Sequence, residues 1–260
     1  MGMLEITDDA RVRVLTLNRP EALNAFNDEL YHTVGGALEE AEASPDVACV
    51  VITGTGRAFS AGQDLAEMGR LSAEAKTDFG DAGPGFPHFL DTLAAFGKPV
   101  IAAVNGIGVG IGMTMLLHVD IAFIATTARL RAPFVPLGVV PEAAGSLLMP
   151  VVMGNQRAAL KLYTGDWITA DEAVEFGLAL QAVEPDELMT VTMDLARRIA
   201  KMPVASLSAT KRTVVEGRID AVRAARGRED RAFTGMIGQP ANMEAIAAFL
   251  EKREPDFSRL

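Results

Sequence analysis

The stretch 98-KPVIAAVNGIGVGIGMTMLLHVDIAFIAT-126 decides how the chain is to be read. An unbroken apolar run, a glycine-dense turn, a second apolar run at helical spacing and a third run rich in β-branched and aromatic residues predict strand, loop, helix and strand in succession. Upstream, VACVVITG (47–54) is another apolar strand that ends in the glycine-containing GTGRAFSAGQD (54–64). LEIT and VRVLTLN alternate as a hairpin about DDAR, and RPEALNAF is a Pro-led loop. A helix is predicted from about Asn27 to Ala43, with Leu30, Val34, Ala37, Leu38 and Ala41 on one face. Strands alternating with helices at this spacing specify an α/β fold with parallel pairing. RLRA adds a further strand, and residues 69–88, rich in Gly, Asp and Pro, read as a mobile segment around short helices.

From about Ala144 the pattern turns to helix after helix. TADEAVEFG carries Thr169 as N-cap, Glu172 three residues on as its capping-box partner, and Gly177 as the stop. Helices over 186–202, 204–217, 219–235 and 242–252 follow, punctuated by Pro203, Gly217 and Pro240. The expected division is a core over 1–195 and a helical region over 196–260.

At 260 residues and 49% hydrophobic content the chain buries a large core. Its single cysteine, Cys49, lies in a strand, so no disulfide forms within one chain and a reducing cytoplasm is the expected setting. No basic leader and no apolar run of about 18 residues predict a protein off the membrane. A net charge of −10 and a pI near 4.9 disfavour nucleic acid and anionic lipid as partners.

Several chemistries are excluded by spacing. The glycines at 106, 108, 110 and 112 lack the G-x-G-x-x-G spacing of a dinucleotide site, because Ile111 and Met113 stand where a glycine is required. There is no phosphate-binding G-x-x-x-x-G-K-[ST] and no G-x-S-x-G elbow around Ser60 or Ser146. His32, His88 and His118 are scattered and read as structural or solvated, and no metal site is expected. What remains is a pair of glycine-rich turns, AFSAGQDL and NGIGVGIG, each joining a strand to a helix. Such turns expose backbone N–H groups, and two of them converging on one oxygen form an oxyanion site. Tight strand–helix packing explains the same glycines equally well.

NRPEALNAF, GRAFSAGQDL, KPVIAAVNGIGVGIG, DIAFIA and AFLEKREPDF occur in this order across nearly the whole chain. Together they are similar to the crotonase, or enoyl-CoA hydratase/isomerase, superfamily. The resemblance implies a ClpP-like superhelix of repeated ββα units, a C-terminal helical region that assembles trimers or hexamers, and an acyl-CoA thioester as substrate. Coenzyme A then enters as part of the substrate, and no separate cofactor is implied. Carried over by position, the oxyanion donors are the N–H groups of Gln63 and Ile111. The acyl-CoA contacts are Ala22, Leu23, Ala61, Gly62, Asp64, Leu65, Gly110, Phe134, Phe249 and Lys252. Phe249 and Lys252 are expected to reach the ligand across a subunit boundary, and Lys252 carries more of the anion recognition because Glu21 stands where hydratases often have lysine.

The two glutamates of the family's hydratases fall at Thr114 and Phe134, neither of which is a carboxylate. A phenylalanine cannot activate water, so hydratase activity is expected to be weak or absent. In APFVPLGVVPEAAGS (132–146) a lone Glu142 stands among apolar residues, resembling the base of peroxisomal-type Δ3,Δ2-enoyl-CoA isomerases. Val139, Val140 and Leu148 are expected to raise its pKa. The competing reading makes Glu142 a first-turn helix residue after Pro141, complementing the helix dipole. Asp64 and Glu67 are expected to start a helix and Asp120 to open a strand, while Asp78 and Asp81 lie in the mobile segment. The expected activity is Δ3,Δ2-enoyl-CoA isomerisation. The alternatives are ring-opening isomerisation of an aromatic-derived CoA thioester, weak hydration, or a catalytically silent acyl-CoA binder.

Overall fold

Alternation in the first segments produces the expected hairpin: β1 (Leu4–Asp9) and β2 (Val12–Leu17) pair antiparallel with Leu4 opposite Leu17. These and the other elements come from a computed structural model that describes residues 2–64, 85–258 and 260. β3 (Cys49–Gly54), β5 (Val100–Val104), β7 (Ile121–Ala125) and β10 (Gln181–Val183) extend the hairpin into a six-stranded sheet of order β1-β2-β3-β5-β7-β10. From β2 onward every pairing is parallel. β3 and β5 are buried along almost their whole length, which is why their sequences are apolar throughout instead of alternating.

Each of the three central strands hands the chain to a short strand in a second sheet. β3 leads to β4 (Ala58–Ser60), β5 to β6 (Ile107–Val109) and β7 to β8 (Arg129–Arg131), and β9 (Ile168–Thr169) completes the order β4-β6-β8-β9. β4, β6 and β8 run parallel, with Ser60 opposite Gly108 and Val109 opposite Arg131. The turns leaving their carboxyl ends therefore emerge side by side, the usual place for a ligand in parallel α/β sheets. This is the expected architecture of repeated ββα units followed by helices.

α1 (Asp28–Ala43) starts at Asn27, whose side chain accepts from the Leu30 N–H, and it buries Leu30, Tyr31, Val34, Leu38 and Ala41. α2 (Gly85–Ala95) packs along α1 through Phe89, Leu90 and Leu93. The expected mobile segment thus needs correction at its end: residues 85–88 form the first turn of α2, where Phe86, Phe89, Leu90 and Leu93 keep helical spacing. Its remainder, including Leu65, Glu67, Asp78 and Asp81, lies outside the described residues.

The expected helix at 113–119 is also corrected. The chain forms one turn of α-helix, α3 (Ile111–Thr114), and a 3-10 turn, Met115–Leu117. Asp120 closes that crossover by accepting from the Val100 N–H at 2.8 Å and from Lys211 at 2.6 Å, so its role is structural. Seven helices follow: α4 (Gly145–Met153), α5 (Asn155–Thr164), α6 (Ala170–Glu175), α7 (Leu188–Ala200), α8 (Val204–Glu216), α9 (Ile219–Met236) and α10 (Pro240–Glu251). The Thr169–Glu172 capping box is present, and Pro240 opens α10 as its first residue. The boundary expected after residue 195 falls inside α7, which packs against β2, β3, β5 and β7.

Cys49 is buried, and burial pushes its thiol up to about 12. Among the described residues no helix is long and apolar enough to cross a membrane, and no cluster of His, Cys, Asp or Glu is placed to hold a metal.

Candidate active site

The turn after β4 is held by its backbone. Ala61 N–H donates to the Leu23 carbonyl at 2.9 Å, Phe26 N–H to the Gly62 carbonyl at 2.7 Å, and Asp64 N–H to the Phe26 carbonyl at 2.8 Å. Phe26 and Gln63 thereby form an isolated parallel bridge. In that pairing the residues flanking Gln63 make the hydrogen bonds, and Gln63 turns its own N–H the other way. No hydrogen bond among the described residues uses that N–H. The Gln63 side chain is itself engaged, accepting from the Tyr31 hydroxyl at 2.9 Å, and Asp64 is ion-paired with Arg19 at 3.0 Å.

Ala22 ends a 3-10 segment, Pro20–Ala22, and Leu23 caps it and bonds to this turn. Leu23 and Asn24 are both left-handed, at φ 53° and 55°. Buried Asn24 holds them by donating to the carbonyls of Thr55 and Ala58 at 2.9 and 2.8 Å while accepting from the Arg19 N–H at 2.8 Å.

The second turn ends β6. Gly110, at φ 53°, donates to the Arg131 carbonyl at 3.0 Å and accepts from the N–H groups of Met113 and Thr114. Ile111 is the first residue of α3, so its N–H has no partner within the helix. Its side chain is fully buried, which leaves only the backbone to face a ligand.

The two turns touch. Gly62, at φ 94°, lies so close to β6 that a side chain there would come within 2.6 Å of the Val109 carbonyl oxygen. A Cβ on Gly110 would stand 3.9 Å from the Gly62 Cα and 3.8 Å from a carboxylate oxygen of Glu142. One position thus lies within 4 Å of the first turn and of the Glu142 carboxylate, and directly on the second turn.

Glu142 is not a helix-start residue. α4 begins at Gly145 with Ala144 as N-cap, and Glu142 precedes it in a turn whose Ala143 and Ala144 are both left-handed, at φ 57° and 58°. Two consecutive alanines in that region are strained, and such strain clusters at functional sites. Among the described residues nothing hydrogen-bonds to or ion-pairs with the Glu142 carboxylate. Of the apolar neighbours in sequence, Val139 and Leu148 are buried and Val140 is half-buried, and burial is the main cause that pushes the Glu142 carboxyl up to about 8. The negative charges of Glu229 and Asp230 add to the shift. These two acids of α9, and buried His118, whose ring donates to the Ala143 carbonyl at 2.8 Å, were not foreseen as part of the site.

Thr114 is buried with its hydroxyl donating to the Gly110 carbonyl at 3.2 Å, and Phe134 is buried in the core. No carboxylate occupies either position. Phe249 is 61% exposed on α10, and Lys252 is an exposed left-handed cap at the end of that helix. Within one chain the structure does not bring these two to the turns.

The family model for enoyl-CoA hydratase/isomerase matches residues 7–259. The chain is 34% identical to a 1,2-epoxyphenylacetyl-CoA isomerase of Escherichia coli, over 95% of each chain. Among solved structures, an enoyl-CoA hydratase/isomerase from Pseudoalteromonas atlantica superposes with a TM-score of 0.90 at 34% identity, covering 98% of this chain and all of the other. An enoyl-CoA hydratase from Mycobacterium marinum superposes with a TM-score of 0.77 at 48% identity, covering 83% of this chain and all of the other.

Proposed function

The chain belongs to the enoyl-CoA hydratase/isomerase family, and from that premise we propose that this member isomerises its acyl-CoA thioester with Glu142 as the single base. Family membership supports an acyl-CoA reaction of the hydratase or isomerase kind. The observation that carries the finer reading is a carboxylate of raised pKa, without a partner among the described residues, 3.8 Å from where a side chain on Gly110 would begin and beside the turns that carry Gln63 and Ile111.

The thioester oxygen accepts from Gln63 and Ile111, which stabilises charge arriving on it. Glu142 removes a proton from C2 of a 3-enoyl thioester, and the electron pair moves onto the carbonyl oxygen. The carbonyl then re-forms, the double bond shifts to C2–C3, and Glu142 returns its proton to C4. No water is consumed, in keeping with Thr114 and Phe134 at the positions of the hydratase glutamates.

A second reading is ring-opening isomerisation of an aromatic-derived CoA thioester, favoured by the similarity to the E. coli epoxide isomerase. One set of incubations separates the readings: trans-3-hexenoyl-CoA, trans-2-hexenoyl-CoA and an epoxide of an aryl-acetyl-CoA, followed by conjugated-thioester absorbance and product mass. Conjugation of the first with no water added to the second supports the main reading. Turnover of the epoxide alone moves the assignment to the second, and hydration of the 2-enoyl thioester refutes single-base chemistry.

The pH profile is a further test. A base works deprotonated, so a carboxyl at about 8 makes kcat/KM rise about tenfold per pH unit below that value and level off above it. A profile flat between about pH 6 and pH 9 contradicts this role for Glu142.

The coenzyme A part is assigned to Ala22, Leu23 and Ala61, with Leu65, Phe249 and Lys252 completing the acyl-CoA contacts. The apolar side chains of Val151, Leu160 and Tyr163 on α4 and α5, and of Met243 and Leu250 on α10, are exposed on the single chain. They fit assembly into a trimer or hexamer in which a neighbour's Phe249 and Lys252 reach the ligand. A cytoplasmic setting fits the single buried thiol.

A further inference from the structure

The turn that carries Glu142 is hydrogen-bonded by two buried side chains distant in sequence. Glu229, buried on α9, accepts the N–H of Ala144 through one carboxylate oxygen and the N–H of Ser146 through the other, both at 2.7 Å. Buried His118 meets the Ala143 carbonyl through Nε2 at 2.8 Å. A carbonyl only accepts, so this nitrogen carries the ring's proton. Burial lowers the His118 pKa to about 4, keeping the ring neutral, and the cations of Arg218, Arg226 and Lys211 push in the same direction.

Left-handed alanines cost energy and persist only where the surroundings hold them. Here every one of the gripping hydrogen bonds falls on the two residues after Glu142 or on the first turn of α4. We propose that Glu229 is a positioning residue for Glu142: its carboxylate spans the Ala144 and Ser146 N–H groups and, with His118, fixes the strained turn that aims the base at the two oxyanion donors. The assignment rests on the reading of Glu142 as the base.

The grip has an electrostatic consequence. The charged groups acting on Glu142 are Glu229 and Asp230, both on α9 and both negative. Asp230 is in turn influenced by Arg226 and Arg231 on the same helix and by Asp91 on α2. Burial raises the pKa of Glu229, while the Ser146 side chain and the N–H groups of Ser146 and Ala144 pull it back. A negative charge at Glu229 both holds the turn and favours the protonated form of Glu142, so one side chain couples the geometry of the base to its proton affinity.

Glu229→Gln keeps the shape but sets an amide NH2 against one of the two N–H donors and removes the charge. Glu229→Asp keeps the charge but is one methylene too short to span both. Two quantities decide: steady-state turnover of trans-3-hexenoyl-CoA, and titration of the Glu142 carboxyl by carbon-13 NMR, assigned with Glu142→Gln. Both variants are expected to lose about 10²-fold in kcat, as small misplacements of a reacting group do, with KM within about twofold. In Glu229→Gln the Glu142 midpoint moves down, and in Glu229→Asp it stays above that value.

Wild-type kcat in a folded variant, an unmoved Glu142 midpoint in Glu229→Gln, or failure of both variants to fold overturns the proposal; the last assigns Glu229 to stability alone. Should the wild-type protein not isomerise 3-enoyl thioesters, the reaction assignment fails, and the Glu142 titration still judges the clamp separately.

Discussion

Glu142→Gln is expected to lower kcat for 3-enoyl thioester isomerisation by about 10² to 10⁴-fold, the range a positioned proton-transfer group supplies. Binding of an unreactive acyl-CoA is expected to survive, because the amide is isosteric and the donors at Gln63 and Ile111 are untouched. A kcat loss with unchanged affinity is the mark of an interaction made in the transition state. Equal loss of both assigns Glu142 to structure instead.

The same substitution has a stability signature whose sign follows from the raised pKa. In the unfolded chain the carboxyl titrates near 4.5 and in the folded chain near 8. The folded state therefore holds the proton more tightly, and the stability this contributes is complete below about 4.5 and is lost as pH rises towards 8. Glu142→Gln escapes that loss. Its melting temperature relative to wild type is expected to rise between those two pH values, and the relative gain to level off above the upper one. A difference that does not change with pH contradicts the raised pKa.

The second large effect is expected from Ile111→Pro. Ile111 is the first residue of α3, where proline's fixed φ is compatible with a helix and where the missing N–H leaves no helical hydrogen bond unmade. Gly110 before it has no side chain to clash with the ring. The substitution removes one oxyanion donor and little else of the backbone, so kcat is expected to fall by about 10² to 10³-fold. The buried isoleucine side chain is lost too, at a cost of about 1–3 kcal/mol in stability, read by denaturant unfolding. Ile111→Val keeps the N–H and loses one methylene, and it is expected to retain activity. Full activity in a folded proline variant removes Ile111 from the oxyanion site.

Much of this arrangement was legible in the sequence, for reasons that differ from element to element. β3 and β5 are covered on both faces, so their unbroken apolar runs announced them. α1 and α6 carry their own start signals in Asn27 and in the Thr169–Glu172 pair. The strands of the second sheet were harder to read, because segments of two or three residues such as β4, β6 and β9 have no room for a period. That sheet nevertheless sets β4 beside β6 and brings Gly62 against Gly110.

Glu142 is singled out by the resemblance of its segment to the isomerase base, because a glutamate after Pro141 reads on its own as a first-turn helix residue. Its support did not stand out. Glu229 sits 85 residues from Ala144 in GREDRAF, which reads as the charged face of an exposed helix, and only the packing of α9 against α4 buries it. His118 reads from the sequence as structural or solvated, and nothing in LLHV indicates that its ring meets the carbonyl of the residue after the base. Asn24 was likewise hidden, since its hydrogen bonds run to β4 and to the turn before it.

In the proposed reaction one carboxylate takes the proton from C2 and delivers it to C4. Its most direct test is a single-turnover reaction of 3-hexenoyl-CoA deuterated at C2, with the product's C4 examined by NMR and mass. Deuterium is expected at C4, carried there by Glu142, with no product heavier by one water. Hydrogen from solvent alone at C4, or a hydrated product, contradicts it.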